Sequence, residues 1–167
     1  MKLIVADTGP LLHLHEAGAL HLFAVLGEVH VTPAVLRELE RHAPGIWIGA
    51  VPASLRFVHP TATANVRAAQ WIAGGLLDAG EAESLAYAEE MKPDLFVTDD
   101  AAARLMADSL SMPARGSLGV ILFCAVHGHL SRQQADEHLR AIAEKSTLWL
   151  SSRVRKAAAE VLAEIFR

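Results

Sequence analysis

Pro93-Asp94-Leu95-Phe96-Val97-Thr98-Asp99-Asp100 is the stretch on which the reading of the chain turns. Its centre is uninterruptedly apolar, the pattern of a strand buried on both faces, as in parallel sheets covered by helices on either side. The residues that follow, Ala101 to Leu110, read as a helix, so strand passes into helix through two acids. The chain opens the same way, with Leu3-Ile4-Val5-Ala6 running into Asp7-Thr8-Gly9-Pro10 and then a helical pattern. Pro10 suits a first helical turn, and Thr8 or Gly9 can cap it.

Working outward, a third unit of this kind has a short strand near Glu28 to Val31, Thr32-Pro33 as cap and first turn, and a helix through Val35, Leu36 and Leu39 that carries Glu38. His42 to Pro60, with Pro44, Gly45, Gly49 and Pro52, reads as loop with a short strand at Leu55 to Val58. Ala64 to Ile72 is helical and ends at Gly74-Gly75, after which Asp78-Ala79-Gly80-Glu81 opens a helix to about Met91. Beyond a link at Pro113 to Gly116 come helical stretches at Leu118 to Val126, Gln133 to Lys145 and Val154 to Phe166. Ser131 and Gln134 form a capping-box pair at the second of these. The expected fold is one domain over residues 1–167, a three-layer α/β/α arrangement with a central, mostly parallel sheet of four or five strands and a helical C-terminal part from about residue 131.

A hydrophobic content of 52% over 167 residues is enough for one packed core, and it leaves apolar surface to spare for a homodimer. Cys124 is the only cysteine, which excludes an intrachain disulfide and a cysteine zinc site. The apolar run after Lys2 is too short for a signal-peptide core or a membrane span, so a cytoplasmic location is expected. The net charge of −4 is uneven: residues 1–103 carry −7 and residues 104–167 carry +3. Negative charge is thus concentrated in the part of the chain that carries the strand-end acids, and net acidity does not by itself argue against a polyanionic partner.

The two clearest strands both end in aspartate, at Asp7 and Asp99. In open parallel α/β sheets, sites form at the carboxyl ends of strands. Asp94 sits at the other end of its strand and reads as structural. A helix N-cap is the plain alternative for Asp7 and Asp99, but buried grouped carboxylates repel one another and are retained where a cation offsets them. Oxygen-only ligands suit Mg²⁺ or Mn²⁺, the ions that activate water for phosphodiester cleavage. Glu38 and Glu40 border opposite sides of one apolar helix face, so spacing does not choose between them. Asp78 and Glu81 form a capping-type pair that explains Glu81 without chemistry.

His13 and His15, two apart on a helix, point to nearly opposite sides and do not share an ion; His127 and His129 end a helix, and no HExxH pattern occurs. Trp47, Trp71, Trp149 and Tyr87 form no basic-aromatic stripe and read as core or interface, whereas Arg153, Arg155 and Lys156 are a solvated face or an RNA-phosphate contact. No phosphate-loop or dinucleotide fingerprint is present, and the D-x-D of an aspartyl phosphatase is missing after the first strand.

Five segments taken in order, DTGPLLHL, VTPAVLRELE, LLDAGEAESLAYAEE, DLFVTDDAAARLMA and RGSLGVIL, make the chain resemble the PIN-domain superfamily, in particular a VapC-like toxin ribonuclease branch with an extended helical C-terminus. The likeness runs from Leu3 to about Phe123 and more weakly to the end. It implies a divalent-metal-dependent endoribonuclease, the toxin of a toxin–antitoxin pair, with a cognate antitoxin as partner. It also implies that Asp7, Glu38, Glu81 and Asp99 are the catalytic carboxylates, that Asp7, Asp99 and Asp100 hold the metal, and that Thr8 and Thr98 orient them. Whether Glu81 or Glu83 faces the metal stays open, and Gly9 stands where a serine is common. The alternative within the resemblance is a PIN-like module that binds nucleic acid or protein without turnover; outside it, a histidine-ligated zinc hydrolase.

Overall fold

In the computed structural model, which describes residues 2–47 and 52–167, the apolar runs become the strands β1 (Leu3–Ala6), β2 (Glu28–Val31), β3 (Leu55–Phe57), β4 (Leu95–Val97) and β5 (Ala114–Arg115). They form one five-stranded sheet in the order β3-β2-β1-β4-β5, with every neighbouring pair parallel. β1 and β4 are the central pair, Val5 opposite Phe96 and Ala6 opposite Val97. The expected "mostly parallel" sheet is thus parallel throughout.

Strand alternation divides the core in two. Ile4, Ala6, Val29, Val31, Leu95 and Val97 face one side, while Val5 and Phe96 face the other. On the first side pack α1 (Thr8–Glu16), α3 (Pro33–His42), α7 (Ser117–Val126), α8 (Arg132–Lys145) and α9 (Ser152–Ile165), contributing Leu11, Leu39, Ile121, Ile142 and Leu162. On the second lie α4 (Ala62–Ala73), α5 (Ala79–Met91) and α6 (Ala101–Ser109), contributing Ala68, Leu85 and Ala103. The fold is the three-layer α/β/α sandwich. Val5 and Phe96 are completely buried, worth about 1.5–3 kcal/mol each relative to exposure.

Several boundaries differ from expectation. Leu20–Leu22 forms a short 3₁₀ turn and Phe23–Leu26 a single helical turn, α2, in an apolar run that shows no sequence periodicity. Pro113 to Gly116, expected as a link, contains β5, whose backbone pairs with β4. α1 is capped by Asp7, whose side chain accepts from the Thr8 amide, so Thr8 is the first helical residue and not the cap. The capping box of Ser131 and Gln134 is present at α8. Gly49, part of the expected loop, lies outside the described residues. Among the described residues, no helix is long and apolar enough to cross a membrane.

Candidate active site

Because all strands are parallel, Asp7, Thr98, Asp99 and Asp100 emerge together at the carboxyl edge of the central pair, the position where the chain turns from strand into helix. A cleft of about 580 Å³ opens there, walled by Asp7, Glu38, Asp78, Glu81, Asp99 and Asp100, with His13, Arg41, His42 and Leu148 at its sides.

Asp7 forms the floor and is only 3% exposed. Its Oδ1 accepts from the Thr8 amide at 2.7 Å and its Oδ2 from the Thr98 hydroxyl at 3.0 Å. Thr98 Oγ1 in turn accepts from the Asp100 amide at 3.1 Å, so one buried hydroxyl links the two acids. Burial pushes the Asp7 carboxyl up to about 7; the two hydrogen bonds oppose the shift, and the charges of Glu81 and Glu38 add to it.

Glu38 reaches the cleft from α3. Its Oε1 accepts from the Gly80 amide at 2.8 Å and its Oε2 from the Thr8 hydroxyl at 2.5 Å, tying the first turns of α1 and α5 together. A Cβ on Gly80 would sit 2.3 Å from Glu38 Oε2, so only glycine admits this approach. Glu40 faces elsewhere and accepts from the Gly45 and Trp47 amides. A similar division separates the glutamates of α5. Glu81 lines the cleft, its Oε2 accepting from the Asp78 amide at 2.9 Å, while Glu83 accepts from the Ala34 amide at the start of α3. Burial, with Asp100, Asp78 and Glu38 nearby, raises the Glu81 carboxyl above its usual range.

Asp99 has more partners. Its Oδ1 accepts from the Ser117 amide at 2.7 Å; its Oδ2 accepts from the Ser117 hydroxyl at 2.6 Å and lies 2.7 Å from His13 Nδ1. Opposite a carboxylate, that ring nitrogen carries the hydrogen. A Cβ on Gly116 would meet Asp99 Oδ1 at 2.6 Å, so this placement of the Asp99 carboxylate relies on the missing side chain. Asp100 caps α6, its Oδ1 accepting from the Ala103 amide at 2.7 Å.

His13 and Ser117 did not stand out as site residues in the sequence. Ser117 lies in the RGSLGVIL segment, and His13 shares a helix face with Gly9, whose absent side chain leaves room before Asp99. His15, on the opposite side, packs edge-on against buried Trp47 at 5.4 Å, as the two-residue spacing required. Gly9 itself has space for a Cβ, which would lie 3.4 Å from Asp99 Cβ.

Among the described residues, no three carboxylates or imidazoles stand close enough, as placed, to share one ion. The metal-holding set that the resemblance implies, Asp7, Asp99 and Asp100, is therefore not gathered within one ion's reach in this arrangement. Like charges draw apart here toward the nearest amides and hydroxyls, which several helix N-termini supply around the cleft. The carboxylates supply an oxygen donor set centred on buried Asp7, which among the described residues is in no ion pair. Hard divalent cations fit such a set.

The chain matches no curated protein. The family model described as DUF3368, a PIN domain, spans residues 3–164, which takes in every strand, the whole cleft and all but the end of the last helix. PIN domains are generally nucleases and typically use divalent metal ions. With that match over nearly its full length, and with acids gathered at the tips of a parallel sheet, the chain belongs to the PIN-domain superfamily.

Proposed function

We propose that the chain is a divalent-metal-dependent endoribonuclease that hydrolyses RNA phosphodiester bonds as the toxin of a toxin–antitoxin pair. The observation that carries this reading is the Asp7 carboxylate, buried at the floor of a cleft walled by carboxylates and, among the described residues, in no ion pair. Asp7, Asp99 and Asp100 would hold Mg²⁺ or Mn²⁺, and Glu38 and Glu81 would bind directly or through water. When bound, the ion supplies a lowered water pKa and neutralises charge at the phosphate. Thr98 fixes the Asp7 carboxylate plane, and Thr8 does the same for Glu38. Asp7 lies recessed at the bottom of the cleft, where a single-stranded backbone reaches more readily than a duplex.

The biological part of the reading, a VapC-like toxin with a cognate antitoxin, rests on the order of the five sequence segments. A cytoplasmic location, a single domain over residues 1–167 and a homodimer complete it. The homodimer is supported by large apolar side chains left in solvent, among them Val66, Ile72, Leu76 and Leu105. Incubation of a single-stranded RNA with the protein and increasing Mn²⁺ or Mg²⁺ tests the activity: cleavage should depend on the ion and vanish in Asp7→Asn and Asp99→Asn. Cleavage that persists in both variants would sink the carboxylate mechanism.

One observation favours a second reading, a PIN-like module that binds without turnover: each cleft carboxylate already accepts hydrogen bonds from its own protein. Under that reading, RNA binds but is recovered intact at every concentration of either ion.

A further inference from the structure

We infer that Trp149 and the basic stretch after it form a seat for the substrate strand beside the acidic cleft, with the Trp149 indole stacking on a base of single-stranded RNA. The inference rests on the nuclease reading in taking RNA as what enters the cleft.

The link between α8 and α9 is pinned where it leaves α8, since the Thr147 amide and hydroxyl both donate to Glu16 at the end of α1, at 2.7 and 3.0 Å. Beyond that anchor, burial alternates from residue to residue. Leu148 and Leu150 turn inward onto the core, Leu148 reaching the wall of the cleft. Trp149, between them, is 83% exposed, whereas Trp47 and Trp71 are at 0% and 7%. A tryptophan this exposed, one residue from the wall of a cleft, marks a contact surface.

Charge identifies the occupant. No acid occurs between Glu144 and Glu160, an interval that holds Lys145, Arg153, Arg155 and Lys156. Among the described residues, Lys156 lies 3.9 Å from Glu160, and neither Arg153 nor Arg155 is in an ion pair. The N-terminus of α9, capped by Ser151, adds its dipole beside these cations. Cations that track phosphates next to an aromatic face that accepts any base are the parts of a single-strand binding surface. The cationic setting favours a polyanion over an apolar protein face.

Trp149 also supplies the probe, because the other tryptophans are shielded. A short oligouridylate titrated into the full chain in EDTA, where no turnover occurs, should quench the exposed tryptophan emission. Trp149→Ala should weaken binding roughly tenfold, and Trp149→Phe should keep most of the affinity while losing the quench. Arg153→Gln with Arg155→Gln should flatten the salt dependence of log K by roughly 1–2. Absence of quenching in the natural protein, or unchanged affinity in Trp149→Ala, overturns the inference. So does quenching that grows with protein concentration alone alongside a sedimenting dimer, since that assigns Trp149 to a second copy. Binding through Trp149 without metal-dependent cleavage defeats the nuclease reading and leaves the seat; cleavage by Trp149→Ala at an unchanged KM does the reverse.

Discussion

The tips of β1 and β4 lie side by side, Ala6 against Val97, and each strand ends in an aspartate at the mouth of a helix, yet the two carboxylates have opposite surroundings. Asp7 is 3% exposed and accepts two hydrogen bonds, and burial, with the charges of Glu81 and Glu38 added, lifts it to about 7. Asp99 is met by the Ser117 amide, the Ser117 hydroxyl and the His13 ring. One tip leaves negative charge unanswered and the other surrounds it with donors. Under the proposed function, such a pair would draw a cation to a fixed place, Asp7 supplying the attraction and Asp99 a carboxylate whose orientation is set beforehand.

The largest expected effect comes from removing the unanswered charge. Asp7→Asn should lower cleavage at least about a hundredfold while stabilising the metal-free protein at alkaline pH. In the folded chain the Asp7 carboxyl titrates at about 7, against an ordinary 3.8. Between those values the folded state holds a proton that the unfolded state has released. The stability this provides is fully present below the ordinary value and is lost as pH rises through about 7. A shift of this size corresponds to at most about 4 kcal/mol. Urea unfolding in EDTA across this range should show a decline for the natural protein and a much flatter profile for Asp7→Asn. Equal slopes would mean that Asp7 is not the group that titrates.

The second effect follows from the same proton. A divalent ion at Asp7 competes with it, so affinity for Mn²⁺ should fall by up to about tenfold for each unit of pH below 7, and binding should release a proton. Calorimetry in buffers of different ionisation enthalpy reads that release directly. Mn²⁺ affinity that does not change between acid and alkaline pH would place the ion away from Asp7.

At the Asp99 tip the expected effect is smaller. Ser117 is completely buried, and Ser117→Ala removes one donor while its amide and His13 remain. The loss should be about 1–2 kcal/mol of stability in thermal melts, with weaker Mn²⁺ binding and no new pH dependence. A variant whose stability slope against pH came to resemble that of the Asp7 tip would show that Ser117 is what keeps the two tips different.

How far this contrast could be read from the sequence depends on the range of the interactions. The strands and the acids at their ends are local patterns, four apolar residues followed by a helix start, and β1, β2 and β4 stand where the pattern puts them. β5 was hidden because Ala114-Arg115 lies between Pro113 and Gly116 and becomes a strand only through pairing with Phe96 and Val97. Glu38 and Glu40, like Glu81 and Glu83, are two apart and take different sides of their helix, but spacing alone does not say which of each pair meets the site. They part according to the amide each meets: Gly80 for Glu38, the Gly45–Trp47 turn for Glu40, and Ala34 for Glu83. The bond from His13 to Asp99 spans 86 positions in the chain, and no local pattern carries it.

The smallest effect belongs to the opposite end of β4. Asp94 is exposed and accepts from the Leu3 amide at 2.8 Å, closing the edge of β1 where the strands begin. It flanks the same strand as Asp99 but at the other end, so the two acids occupy opposite edges of the sheet. Asp94→Asn keeps an oxygen acceptor for the Leu3 amide, so melts should move by no more than about 0.5–1 kcal/mol equivalent, with cleavage and Mn²⁺ affinity unchanged. If Asp94→Asn lowered cleavage as Asp7→Asn does, acidity anywhere on the sheet would suffice, and the carboxyl edge would lose its claim to be the site. If it changes nothing but a small part of the stability, position at the strand's end is what makes one aspartate chemical and the other structural.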